Sequence, residues 1–380
     1  MALNNGFDDS STTDSDALPF GPMATYSNLE SSLRYRRERR DRRLTIDLAD
    51  AFRYYPTASG LVTANYDLGA AYSSPLWRRS RISANQHVAY TPYYEFNALT
   101  TLSPALAFEN AATRPASSTD YAIGRQPALT LDSGAQFAQE IGRQSTLTLA
   151  YDRRSVLFPG ASGRDFVAEG AQIRYSRRVS RFVGFHAGAG TRIGTYGSSR
   201  DAARVQTRDI DIGLDYDRPL SLSRRTTFTF STGSSLVPEH GATHYRLNGS
   251  ATLTHAIGRN WSTSAQYSRG VQFIDPLPEP FLSDSISARL HGAASRRVTV
   301  TVSAGYANGT IGSGASIGTL ATYTATGELG IAINRHTALS ADYVRYYYRL
   351  DGATAVAGFP PRLDRQTARI GLKMWLPVLH

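Results

Sequence analysis

The 380-residue chain contains no cysteine. That removes disulfides, thiolate metal sites and thiol nucleophiles together. Lysine is nearly missing as well. Lys373 is the single lysine among 41 basic residues, so almost all the positive charge is guanidinium. No run of about 18 apolar residues occurs, which excludes a helix that crosses a membrane. Long helical patterns are scarce. The start, Met1-Ala2-Leu3-Asn4-Asn5-Gly6, lacks the basic and apolar regions of a signal peptide. For an exported protein, such a start is expected to be processed or truncated. Disorder is excluded by 22 tyrosines and 15 phenylalanines.

What the chain does have is a repeat. Arginine-rich turns recur at Arg42-Arg43, Arg78-Arg79, Arg143-Gln144, Arg178-Val179, Arg224-Arg225, Arg259-Asn260, Arg296-Arg297 and Arg335-His336. Most lie roughly 35 to 46 residues apart, a period that signals a repeated supersecondary unit. About 36 residues hold two strands of about 10 residues, a tight turn and a longer loop. One interval of about 65 residues contains an extra loop, Asn97 to Tyr121.

Between the turns the apolar residues alternate with period two, the strand signature. Ala368, Ile370, Leu372 and Met374 oppose Thr367, Arg369, Gly371 and Lys373. Val298, Val300, Val302 and Ala304 oppose Thr299, Thr301, Ser303 and Gly305. Strands of a soluble sandwich usually run about five or six residues. Here they run ten or more, with one apolar face and one small, polar face. That is the pattern of an all-β transmembrane antiparallel up-and-down β-barrel, with lipid outside and a polar interior. Seventeen strands are readable from Met23 onward. An even count requires one more, and Ala2–Phe7 supplies it, so eighteen strands are expected, with sixteen as the alternative. Residues 1–22 then hold a partial first strand and an acidic outer loop, and residues 23–380 complete the same barrel domain.

Aromatics cluster at the strand ends away from the arginine turns: Tyr54-Tyr55, Tyr93-Tyr94-Phe96, Phe158, Tyr196, Phe273 and Tyr346-Tyr347-Tyr348. Trp77, Trp261 and Trp375 lie on the turn side. Two aromatic girdles at the bilayer interfaces account for both sets.

Leu33-Arg34-Tyr35-Arg36-Arg37, Arg53-Tyr54-Tyr55-Pro56 and Tyr90-Thr91-Pro92-Tyr93-Tyr94 resemble a family of uncharacterised outer-membrane β-barrel proteins from high-GC Gram-negative bacteria. Asn5-Gly6-Phe7-Asp8-Asp9 is similar to the end of that family's first strand. The resemblance implies a barrel in the bacterial outer membrane. It brings neither a substrate nor catalytic residues.

The alternation places charges on the lumen side: Arg34, Arg53, Arg81, Arg174, Arg192, Arg246, Arg289, Arg369 and Lys373, with Asp209, Asp211, Asp215 and Glu328. Guanidinium–carboxylate pairs across strands are expected to knit the wall and set the field of a pore. A passive or weakly selective pore for small solutes is the expected function. A structural or surface-binding barrel with a blocked lumen is the alternative, and a lipid-modifying enzyme follows it. Loop 97–121 is expected to fold inward, because Leu99, Leu102, Leu106 and Phe108 favour burial. His186, His291 and the serines Ser283, Ser285 and Ser287 show no catalytic or metal-ligand spacing, so no catalysis, cofactor or metal is expected. The Asp209–Asp217 carboxylates alternate about 7 Å apart, too far for one compact cation site. A net charge of +10 suggests nucleic acid, but the basic residues are spread over turns and lumen. The expected partners are outer-membrane lipid and lipopolysaccharide. No pattern specifies an oligomeric state.

Overall fold

The computed structural model describes residues 1–12, 23–56, 60–95, 122–124, 126–160, 165–197, 203–219, 225–239, 242–273, 281–311, 318–352 and 360–375. Alternating Val, Ile, Leu, Thr and Tyr favour the extended backbone, because their branched or aromatic side chains pack on a pleated surface. Twenty strands result. The first ten are β1 (Ala2–Thr12), β2 (Met23–Arg39), β3 (Arg42–Tyr55), β4 (Leu61–Trp77), β5 (Ser80–Thr91), β6 (Tyr94–Glu95), β7 (Ala122–Gly124), β8 (Ala128–Glu140), β9 (Ser145–Leu157) and β10 (Phe166–Arg178). The others are β11 (Val183–Tyr196), β12 (Ala203–Pro219), β13 (Thr226–Glu239), β14 (Ala242–Ile257), β15 (Trp261–Gln272), β16 (Phe281–Ala293), β17 (Val298–Ile311), β18 (Gly318–Ala332), β19 (Thr337–Asp351) and β20 (Arg362–Met374).

Eighteen of them form one antiparallel sheet in which sequence neighbours pair, and β1 closes it by pairing with both β2 and β20. β6 and β7 form a separate short ribbon at the base of the 97–121 loop, which itself lies outside the described residues. The strands run 12 to 17 residues in the barrel wall, apart from the 11-residue β1. The first strand thus extends past Phe7 to Thr12.

Closure rests on the seam between the chain's two terminal strands. Ala2 to Thr12 pair in register with Lys373 to Leu363. Inside this seam Arg365 donates from Nε to Asp8 Oδ1 at 2.9 Å and pairs a second time through its terminal nitrogen. Both side chains are almost wholly buried. A two-pronged guanidinium–carboxylate contact of this kind fixes geometry as well as charge. Replacing Arg365 with Leu leaves the Asp8 carboxylate buried alone, at a cost of about 3–5 kcal/mol. The expected result is a lower urea midpoint for the folded, heat-modifiable band on a gel. The Asp8→Leu/Arg365→Leu double variant recovers part of that loss.

Candidate functional site

The outward face is apolar where a bilayer would sit. Ile210, Ile212 and Leu214 on β12, Val302 on β17, and Ile370 and Leu372 on β20 all stand in the open. Tyrosines bound this belt toward the loop end. Phe52 meets Tyr66 edge-on, Tyr66 packs on Tyr90, and Tyr323 stacks on Tyr347 with centroids 4.9 Å apart. The next outward position past a tyrosine is repeatedly charged: Arg153 follows Tyr151, Arg269 follows Tyr267, and Arg345 follows Tyr343. These arginines pair with Glu169, Asp284 and Asp364 on adjacent strands. Trp77, against Phe137, marks the opposite, turn-side edge. One carboxylate, Asp50, interrupts the band, and Ser31 donates to it. Exposed large apolar groups around a closed sheet have one stable environment, hydrocarbon. The chain is a transmembrane β-barrel of the outer-membrane type.

The inward face is the candidate site. His87 on β5 lies between two carboxylates, with Nε2 2.9 Å from Asp67 Oδ2 and Nδ1 3.6 Å from Asp132 Oδ2. Arg154 on β9 reaches Asp132 at 3.8 Å. One chain of opposite charges therefore links β4, β5, β8 and β9. Across the seam, Arg369 meets Asp342 at 3.3 Å and Glu30 at 3.6 Å, and Lys373 meets Glu328 at 2.5 Å and Asp342 at 3.8 Å.

Two inward glycines let such contacts jump a strand. Gly170 on β10 stands between Asp152 on β9 and Arg192 on β11, which come within 4.0 Å. A Cβ at Gly170 would sit 2.5 Å from the Asp152 carboxylate. Gly213 on β12 faces His186 on β11, whose Nε2 lies 3.0 Å from the Thr232 carbonyl on β13. A Cβ there would collide with that same carbonyl. His186 is fully buried, and its other nitrogen lies 3.0 Å from Asp215, which also accepts from Arg174 at 3.1 Å.

The remaining lumen-side residues are dispersed. Arg34 pairs with Asp47, and Arg81 donates to Ser73 at 3.3 Å. Asp209 opposes Gly190, and Asp211 opposes Gly188 in the backbone register. Arg246 opposes Ser235, and Arg289 opposes Ser264 and Ser303. His291 contacts Thr301 at 2.9 Å on β17, far around the wall from His186, so the two histidines are not brought together.

The aromatic clusters require a correction. The expectation placed Tyr55, Tyr93, Tyr94, Phe158, Phe273, Tyr346 and Tyr348 in an outer girdle, but all of these are buried inside the barrel mouth. They join Tyr26, Phe166, Phe281, Leu320 and Leu363 in an apolar collar, with Tyr196 packed against it. The reason is the strand period. Neighbours point to opposite faces, so Tyr54 and Tyr347 go out while Tyr55, Tyr346 and Tyr348 go in. Only the outward members belong to the girdle; Phe96 lies outside the described residues. Contacts cross the mouth as well as follow it: Phe273, after β15, fills the space over Gly194 on β11. Arg53 lies beneath the collar, with its guanidinium 4.2 Å from the Tyr26 ring centre. Within the barrel strands period two signals the collar; Tyr93 and Tyr94, past the end of β5, are both buried and fall outside that rule.

No known protein family matches the sequence, and no curated protein does. Among solved structures, OpdO of Pseudomonas aeruginosa is similar at 14% identity and a TM-score of 0.43, covering 100% of this chain and 96% of that one. The siderophore receptor PirA of Acinetobacter baumannii is similar at 7% identity and 0.43, covering 97% and 80%. The FrpB iron transporter of Neisseria meningitidis is similar at 8% identity and 0.46, covering 94% and 65%. Likenesses this distant bear on no property of this chain.

The two faces make opposite forecasts for neighbouring residues. Val302→Arg puts a charge on the lipid face and is expected to destabilise by about 2–4 kcal/mol. Ser303→Arg, one residue on, faces the lumen and is expected to cost far less. Urea titration in phospholipid vesicles compares them, and equal losses would contradict the assignment of faces.

Proposed function

We propose that the barrel is a pore for small hydrophilic solutes whose outer mouth is gated by the aromatic collar. One observation carries this reading. Beneath the collar a cavity of about 430 Å³ follows the wall formed by β1 to β4 and β20, from Met1 and Trp375 up to Arg53. It is lined by Glu30, Asn65, Asp67, Arg369 and Lys373. Eighteen strands enclose more space than side chains fill, and a polar lining keeps that space wet. Water-filled volume under an apolar ring is the arrangement of a hydrophobic gate, which resists ions by shedding water.

The buried collar also supports a second reading, a barrel blocked at the mouth that serves as a scaffold or displays its loops. The lipid-modifying enzyme draws less support. His186 has a carboxylate at one ring nitrogen and a backbone carbonyl at the other, which leaves neither to activate a serine.

Single-channel recording in planar bilayers decides between pore and scaffold. The wild type is expected to give stepwise conductance, and Phe281→Ala/Tyr348→Ala larger steps with fewer closures. Silence from both proteins, each folded by the heat-modifiability test, favours the blocked scaffold.

A further inference from the structure

The lumen wall is not uniform around its circumference. From β18 through β20 and β1 to β12, both signs of charge interleave on the inward face. From β13 to β17, among the described residues, they do not. Between Thr227 and Ser235 on β13, and along the inward faces of β14 to β17, the described residues include no carboxylate. Below the collar these positions are mostly hydroxyls, amides and glycines, with Arg246, Arg289 and His291 as the described basic groups.

The register aligns the hydroxyls into transverse rows. Ser231 opposes Ser250, Ser250 opposes Ser268, and Ser268 opposes Ser285, so four serines cross four strands at one level. Ser268 and Ser285 share a hydrogen bond of 2.6 Å. Thr229, Thr252, Gln266 and Ser287 make the next row. Thr227, Thr254, Ser264, Arg289 and Ser303 make the third, toward the turn side. Adjacent members are about 5 Å apart and successive rows about 7 Å apart.

Arg289 is exposed and has no ion pair among the described residues. Of the described carboxylates bordering this wall, Asp215 holds Arg174 and Glu328 holds Lys373. Asp209 stands across Ser235 from Arg246, two strands away, and the two make no ion pair among the described residues. A guanidinium without a carboxylate beside it is free to take an oxyanion from solution. Rows of hydroxyls alongside it both donate and accept hydrogen bonds, as polyhydroxylated solutes require.

We infer that the β13–β17 wall is the recognition surface of the lumen for small solutes carrying both an oxyanion and hydroxyl groups. Arg289 takes the oxyanion and the serine and threonine rows take the hydroxyls. The inference rests on the pore reading above and names the solute class of that pore.

The test is single-channel recording with gluconate, acetate and glucose as probes, with folding checked by heat modifiability. In a potassium chloride gradient the reversal potential is expected to show anion preference. Gluconate is expected to block the open channel more strongly than acetate, which lacks the hydroxyls, or glucose, which lacks the charge. Arg289→Ser is expected to weaken gluconate block about tenfold, as loss of a hydrogen bond to a charged group does. Ser268→Ala/Ser285→Ala is expected to weaken gluconate block while acetate block stays the same. Conductance with equal block by gluconate and acetate, or gluconate block that Arg289→Ser does not change, overturns the inference and leaves the pore standing. Absence of conductance even from Phe281→Ala/Tyr348→Ala overturns both.

Discussion

Every backbone amide that enters hydrocarbon must find its partner inside the protein, because each unpaired group there costs several kcal/mol. A sheet meets this condition only by leaving no edge. Here the last edge closes where β1 pairs with β20. The constraint dictates side chains as well as backbone. With all amides paired in the wall, each strand has one face toward lipid and one toward the interior. The lipid face must be apolar; the inner face is released from that requirement. A mean hydropathy of −0.32 is therefore compatible with a membrane protein, since the average mixes two faces in opposite solvents.

The inner face uses that freedom unevenly. Some pairs are exposed and contribute little to stability, such as Arg34–Asp47, whose arginine side chain is 68% exposed. Others are sealed, such as Arg365–Asp8, where desolvation makes breaking the pair far costlier than its net contribution. Glycines extend the reach of this chemistry. By omitting a side chain at Gly170 and Gly213, the wall lets residues two strands apart meet over the strand between. Glycine weakens a strand taken alone. In this wall the weakness is offset by cross-strand bridges that stiffen three strands at once.

These features differ in how far local patterns reveal them. Turn arginines and period-two alternation disclose the strands, their count and their faces, because each is encoded within ten or so consecutive residues. Ala368-to-Met374 and Val298-to-Ala304 can be sorted into faces by inspection. Registers are not local, so contacts such as Arg192 with Asp152, which need three strands aligned, stayed hidden. So did the interleaving of His87 with Asp67 and Asp132. The aromatic collar escapes composition for a different reason. Tyrosine suits both a bilayer interface and a packed mouth, and composition does not distinguish them. Parity does: Tyr346 and Tyr348 share a face with Asp342 and Ser340, not with Tyr347.

The position of the collar follows from the same parity and bears on what the barrel does. Apolar rings inside a wet lumen are unfavourable unless they bury one another, and Tyr55, Phe166, Phe281 and Tyr348 are wholly buried. Their cohesion narrows the loop-side mouth, while the turn-side interior stays polar. A structural core for the barrel would serve better at mid-height, spread over all strands. Instead the apolar mass sits at one end, above a cavity lined by Glu30, Asp67, Arg369 and Lys373. The division around the circumference runs across this axial one. Where both charge signs interleave, most lumen arginines meet carboxylates, as Arg369 meets Asp342, while Arg81 meets Ser73 alone. Where the described residues show no carboxylate, Arg289 keeps its hydrogen-bond donors unpaired, which on the pore reading leaves them for a passing solute. A conducting lumen, on the pore reading, has reason to leave partners off the β13–β17 wall, because binding must be strong enough to admit a solute and weak enough to release it.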